Sequence, residues 1–343
     1  MRYLNNSVYL ILITIVVLTA SCSRKVHVQA VKKDLVIYPS PPDTARIQYL
    51  TSISSSDNTS HQRTGFSKYI LGETLSKPVK KPYGVAIHGG KIYICDTGLG
   101  CIDIIDLEKG TFDYFVPDGK GKLKSPINCF VDENEYLYVA DVLRKEIVIF
   151  NEKGDFVKAL GDKENFKPTD VFVYRDRIFV ANLFNNAIQV YGRENFELLN
   201  TFPKSVPGKE DYLFSPTNIY IRNDTLYVSD MGDFKVKLFS TEGVFLKSVG
   251  NLGTKVGQMV RPKGIAVDKE SNLYVVDAGI ENTQIFNREG KLLMFFGGTY
   301  QGPGGMWLPA KITIDYDHLK YFQKYVDGDY ELNYSGLKIQ RFE

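Results

Sequence analysis

The chain writes one phrase six times, each built around a proline: KPYGVAI at Pro82, SPINCFV at Pro126, KPTDVFV at Pro168, SPTNIYI at Pro216, RPKGIAV at Pro262 and LPAKITI at Pro309. The intervals are 44, 42, 48, 46 and 47 residues. A period in the forties made of short apolar runs is the mark of a propeller blade. One such unit cannot bury its apolar face alone, so successive units must pack against one another in a ring.

The fifth unit shows the layout. Gly264-Ile265-Ala266-Val267 reads as the innermost strand, Leu273 to Asp277 as the second, and Gln284-Ile285-Phe286 opens the third. Asn287 to Gly290 reads as a turn, and Lys291 to Phe296 returns as the fourth strand. Four short strands punctuated by turns match a blade. Asp96, Asp141, Asn182, Asp230 and Asp277 stand 14 or 15 residues after their prolines. Short carboxylate and amide side chains bond backbone amides two residues on, so this set reads as structural.

The expectation is an all-β fold, a six-bladed β-propeller spanning residues 45–343. Its sixth unit departs from the pattern. Lys311 to Asp315 supplies an inner strand, YFQKYVDGDYELNYSG reads as an altered second strand, and Leu337 to Phe342 as the third. No fourth strand follows. Ala45 to Ile53 is a strand-like run without a blade, and is expected to supply the missing strand of the last blade. Closing the ring in this way removes exposed sheet edges.

The phrase Ile92-Tyr93-Ile94-Cys95-Asp96-Thr97-Gly98, followed by an apolar strand and a glycine turn, resembles the NHL repeat. Arg261 to Pro309, with its FFGG, GPGG and WLP phrases, resembles the large bacterial family of six-bladed β-propellers of NHL type, as does Tyr38 to Leu50. The resemblance runs from about residue 38 onward. It implies the fold and says little of activity, because propellers host enzymes, binders and scaffolds alike.

Residues 1–21 read as a signal peptide. Arg2 precedes an apolar run from Val8 to Ala20, too short for the roughly 20 residues that span a bilayer. Leu18-Thr19-Ala20-Ser21-Cys22 resembles a bacterial lipobox, which implies lipidation of Cys22. Residues 22–44, with Lys25, Lys32, Lys33, Pro39, Pro41 and Pro42, read as a basic, extended tether. The expected location is the cell envelope, on the outer membrane facing the periplasm, since Ser23-Arg24-Lys25 lacks the acidic run of some surface-export signals. Phe66, Tyr69 and Ile70 lie on one face of a short helix expected over 64–75.

The formal net charge of +2 argues against a nucleic-acid surface. A monomeric propeller is expected. Cys95 and Cys101 flank a turn of the first blade, and the spacing leaves open both a disulfide and two buried thiols. Cys129 reads as a small core residue.

Inner strands line the axial channel of a propeller. Just past the prolines come Tyr83, Asn128, Asp170, Asn218, Lys263 and Lys311, a polar ring expected at the channel mouth and able to hold a small ligand. The plain alternative is mouth polarity satisfied by water. Trp307, the single tryptophan, joins this candidate binding set. Six residues past the prolines, His88, Asp132, Tyr174, Arg222, Asp268 and Asp315 fall towards the other end, where such residues commonly cap turns. No catalytic residue and no metal site is assigned. The histidines are His27, His61, His88 and His318, and there is no serine-histidine-aspartate spacing, P-loop or dinucleotide fingerprint. The function expected is a non-catalytic binding or scaffold lipoprotein without cofactor, whose partner is an envelope protein, peptide or glycan. The alternative is a calcium-dependent lactonase or lyase, as propeller enzymes of related architecture imply.

Overall fold

The computed structural model describes residues 35–59, 75–326 and 337–340. The expected signal peptide, Cys22, most of the tether and the helix expected over 64–75 lie outside them, apart from Leu75. The chain divides into the units Met1–Leu35 and Val36–Glu343, and the second is a β-propeller.

Five antiparallel four-stranded sheets follow one another along the chain. The first is Pro82–His88, Lys91–Asp96, Cys101–Asp106 and Thr111–Phe115, in sequence order from the axis outwards. The others open with inner strands Pro126–Val131, Pro168–Tyr174, Pro216–Arg222 and Pro262–Val267. Second strands such as Leu137–Asp141 and Leu273–Asp277 are buried at every residue, being covered by a blade on each face. Outer strands such as Phe245–Val249 alternate, with Leu246 exposed and Val249 buried. That is the period of a strand with one wet face.

Neighbouring blades share apolar layers. Tyr93, Cys95 and Ile102 of blade 1 meet Cys129, Val139 and Phe150 of blade 2 in one cluster. Equivalent layers join blades 2 and 3, 3 and 4, and 4 and 5.

Five full blades are seen where six were expected. The sixth position holds a two-stranded sheet in which Ile312–Asp315 pairs with Leu337–Gln340. The inner strand Ile312–Asp315 lies beside both Pro262–Val267 and Pro82–His88. Two expectations are corrected here. Leu337–Gln340 pairs directly with the inner strand, so it is the second strand of this sheet and not the third. The segment read as an altered second strand begins as a helix, Leu319–Phe322, with a 3-10 turn at Gln323–Tyr325. Leu319, Phe322 and Tyr325 are spaced by three, which sets one apolar edge of that turn against Val85, Ile92 and Ile105 of blade 1.

The expected ring-closing strand is not seen in the sixth sheet among the described residues. Ile47–Gln48 instead pairs with Ile37–Tyr38 as a separate two-stranded ribbon. Tyr38 and Ile47 cover the layer that contains Phe296, Met306 and Ile312, while Leu50 and Ile53 cover blade 1.

Candidate functional site

Each blade carries the same latch at its proline end. The carboxylate of Asp277 is fully buried and accepts from Val260 N at 2.7 Å, Arg261 N at 2.9 Å and Gly279 N at 2.8 Å. Asp96 does the same for Lys80, Lys81, Gly98 and Leu99, and Asp141 for Lys124, Ser125 and Arg144. A single side chain thus fixes both the loop arriving at the inner strand and the turn leaving the second. The backbone repeats the bond: Thr97, Val142, Leu183, Met231 and Ala278 each donate to the carbonyl just before the proline. Proline suits the next position because it has no N–H to satisfy and holds the residue before it extended. The structural reading of this set stands.

Past the proline the register of the inner strand slips in each of the five full blades, between Pro168 and Asp170 for example, or Pro216 and Asn218. Such bulges re-aim a side chain. Here they bring part of the expected ring together. The buried Asp170 carboxylate accepts from Lys311 Nζ at 2.5 Å, from Asn218 Nδ2 at 3.3 Å, and from the backbone amides of Val171 and Ile219, each at 3.0 Å. Asn128 Nδ2 donates to Thr169 O at 2.6 Å, and Thr169 Oγ1 donates to Pro216 O at 2.9 Å. Blades 2, 3 and 4 and the sixth sheet are thereby joined by polar bonds at the mouth. Lys263 places its ammonium 4.9 Å from the centre of the Tyr83 ring.

Asp170, Asn218 and Lys311 thus form a bonded plug, while the Oδ1 of the neighbouring Asn128 is buried without a partner among the described residues. Trp307 does not share its burial: it is 63% exposed, on the loop arriving at Ile312–Asp315. Where the ring lacks a polar side chain, space is the reason. A Cβ on Gly84 would stand 2.5 Å from Ile127 O, and one on Gly264 would stand 2.5 Å from Lys311 Cα. Two residues deeper, the ring of Phe172 lies 4.5 Å from that of Phe130 and 5.2 Å from that of Tyr220, centre to centre. Strand period 2 puts this aromatic layer directly beneath the plug.

At the opposite end, three of the carboxylates hold turns. Asp132 caps Asn134 N and Tyr136 N and pairs with Arg193 at 2.7 Å. Asp268 accepts from Asn272 N at 2.7 Å and the Tyr274 hydroxyl at 3.0 Å, and Asp315 accepts from His318 N at 3.0 Å. Among the described residues no group of three or more His, Cys, Asp or Glu side chains is arranged to hold a metal ion.

Sequence reasoning missed Asp103. It is buried in the third strand of blade 1, accepts from Cys101 Sγ at 3.5 Å and leaves Oδ2 without a partner among the described residues. Burial, with the Asp96 carboxylate adding to it, pushes its pKa up to about 7. The counterpart positions in blades 3, 4 and 5 are Gln189, Lys237 and Gln284, all polar and all bonded. That recurrence was the signal available in the sequence. Cys95, Cys101 and Cys129 are free thiols. Cys95 faces the layer shared with blade 2, whereas Cys101 sits beside Asp103 on the other face of the sheet.

These features define the chain as an all-β propeller with a plugged axial mouth. Solved structures agree on the fold. Virginiamycin B lyase from Staphylococcus aureus is similar at 17% identity over 68% of this chain and 73% of its own, with a TM-score of 0.50. A structural genomics protein of unknown function from Bacteroides thetaiotaomicron matches at 15% identity over 78% and 70%, with a TM-score of 0.54. A chain of the nidogen/laminin complex matches at 17% identity over 65% and 82%, with a TM-score of 0.52. No protein-family model and no curated protein sequence matches the chain.

Proposed function

We propose that this chain is a membrane-tethered, extracytoplasmic propeller of NHL type that acts as a non-catalytic binding scaffold. Its partner is an envelope protein, peptide or glycan, held on an exposed surface rather than inside the channel. The observation that carries this reading is the buried Asp170–Lys311–Asn218 group, whose polar atoms are engaged with one another at the place where a channel ligand would sit. The ring counts six positions in this reading, since six inner strands follow one another around the axis. Residues 1–21 are the signal, Cys22 carries the lipid on the periplasmic side of the outer membrane, and residues 22–44 are the tether.

The second reading is a calcium-dependent lactonase or lyase, favoured by the fold likeness to virginiamycin B lyase. Against it, the described histidines, His88 and His318, both belong to the end opposite the proline loops. Chemical cross-linking in intact membranes, followed by purification of the full-length lipoprotein, tests the first reading. A stoichiometric partner is expected. Recovery of the protein alone, with bound calcium and calcium-dependent ring opening of a lactone, would replace the first reading by the second. A Cys22→Ser variant is expected to leave the membrane fraction or to stay unprocessed.

A further inference from the structure

The two ends of the propeller differ in chemistry. On the proline side, the loops arriving at blades 1, 2 and 5 expose Lys80, Lys81, Lys122, Lys124, Lys255 and Arg261. None of these six forms a salt bridge among the described residues. On the opposite side, the turns expose Glu133, Asp176, Asp224 and Glu242, and three arginines pair with carboxylates there, Arg193 with Glu133, Arg175 with Asp224 and Arg177 with Glu242, beside lysines such as Lys153 and Lys291 that form no salt bridge among the described residues.

Apolar exposure follows the same division. Leu99, Leu143, Phe184, Phe214 and Trp307 are all exposed on proline-side loops and turns. Of the large hydrophobic residues exposed in the turns within and between blades, Val244 belongs to the opposite side. One such side chain stands at each of blades 1 to 4 and at the sixth sheet, so the apolar exposure is distributed around this face. Lysine is depleted from protein–protein interfaces, whereas lysine with leucine, phenylalanine and tryptophan is the composition of a surface that rests on a membrane.

The chain also enters the propeller on this face. Val36 and Tyr38 pack on the loop that arrives at Ile312–Asp315, with the Tyr38 hydroxyl donating to Gly304 O at 3.1 Å. Residues 23–35 number thirteen, which reach at most about 45 Å when fully extended.

We propose that the proline-side face of the propeller docks on a membrane surface of anionic phospholipid. Lysine and arginine meet the phosphates, and Leu143, Phe184 and Trp307 enter the interface between headgroups and acyl chains. The carboxylate-rich end then points away from the membrane, towards the partner of the scaffold. The orienting role of the tether rests on the lipidation of Cys22 proposed above; the chemistry of the face does not.

Trp307, as the single tryptophan, reports on this contact without labelling. The full-length lipoprotein is reconstituted with vesicles of phosphatidylcholine alone, or of phosphatidylcholine with phosphatidylglycerol, each with and without brominated acyl chains. The expected result is a blue shift and bromine quenching of Trp307 on the phosphatidylglycerol vesicles only, reversed at roughly 1 M salt, where the Debye length falls to about 3 Å. Lys80→Glu, Lys81→Glu and Lys124→Glu together are expected to weaken the contact by 100-fold or more, at about fivefold per lysine lost. Lys291→Glu on the opposite side is expected to change nothing. Emission on phosphatidylglycerol vesicles equal to that on neutral ones overturns the proposal and leaves the face to a protein or glycan. Sedimentation with neutral vesicles reads the anchor separately, so loss of the anchor is distinguishable from loss of the face.

Discussion

Lys311 and Asp170 stand 141 residues apart in the chain, and their side chains meet at 2.5 Å in a buried ion pair at the channel mouth. The pair joins the sixth sheet to blade 3, and Asn218 joins blade 4 to the same carboxylate. A ligand at this mouth would have to break that group, which is why the function is sought on the surface.

Removing one partner of a buried pair strands the other charge. Asp170→Leu and Lys311→Met are each expected to lower the unfolding free energy by about 3–5 kcal/mol, while the two together cost less than the sum of the singles. Denaturant unfolding of the three variants measures this. Additive costs would show that the pair contributes nothing as a pair.

The latch at each proline makes a graded prediction. Asn182 fills the latch position of blade 3 and holds Lys167 N and Phe184 N through Oδ1 alone. Asp277→Asn therefore keeps part of the latch of blade 5, and Asp277→Ala leaves several buried N–H groups unpaired. At roughly 1–3 kcal/mol for each buried group left without a partner, alanine is expected to cost clearly more than asparagine. Equal losses of melting temperature in the two variants would count against the latch.

Asp103 makes stability depend on pH. Its carboxyl is raised from 3.8 to about 7 in the fold, first by burial and then by Asp96. Between those values the folded protein keeps a proton that the unfolded chain has released. Its contribution is fully present below the lower value, is lost as pH rises through the window, and is constant above it. Asp103→Asn is neutral throughout, so its advantage over the native chain is expected to grow from pH 4 to pH 7 and then level off. Melting curves across that range give the comparison; parallel profiles would refute the assignment.

The thiols are expected to be silent in the folded protein. Burial, reinforced by Cys129, raises the Cys95 thiol, and burial beside Asp103 raises Cys101 to about 12. Thiolate is the reactive form, so alkylation at pH 8 is expected only after unfolding, with no loss of two hydrogens in the intact mass. Rapid native alkylation of Cys95 or Cys101, or a bridge between them, would contradict this.

The six prolines and the aspartates that follow them made the propeller legible from sequence, because each blade solves the same local problem. A short strand must turn, and one side chain must satisfy the amides on both sides of the turn. Such bonds are local, so their spacing repeats in the chain. The sixth sheet was misread for the opposite reason: Leu319, Phe322 and Tyr325 have no strand period, and their conformation follows from the apolar wall of blade 1 that they cover.

The positions Asn128, Asp170, Asn218 and Lys311 were likewise readable as a ring. Their role was not. Sequence fixes which side chains point at the axis, since that follows from strand period and the bulge after each proline. Whether those side chains face water, a ligand or one another depends on how far they reach across the closed ring. Lys311 has the length to meet Asp170 only because ring closure sets their backbones that close, and that distance is a property of the tertiary structure alone.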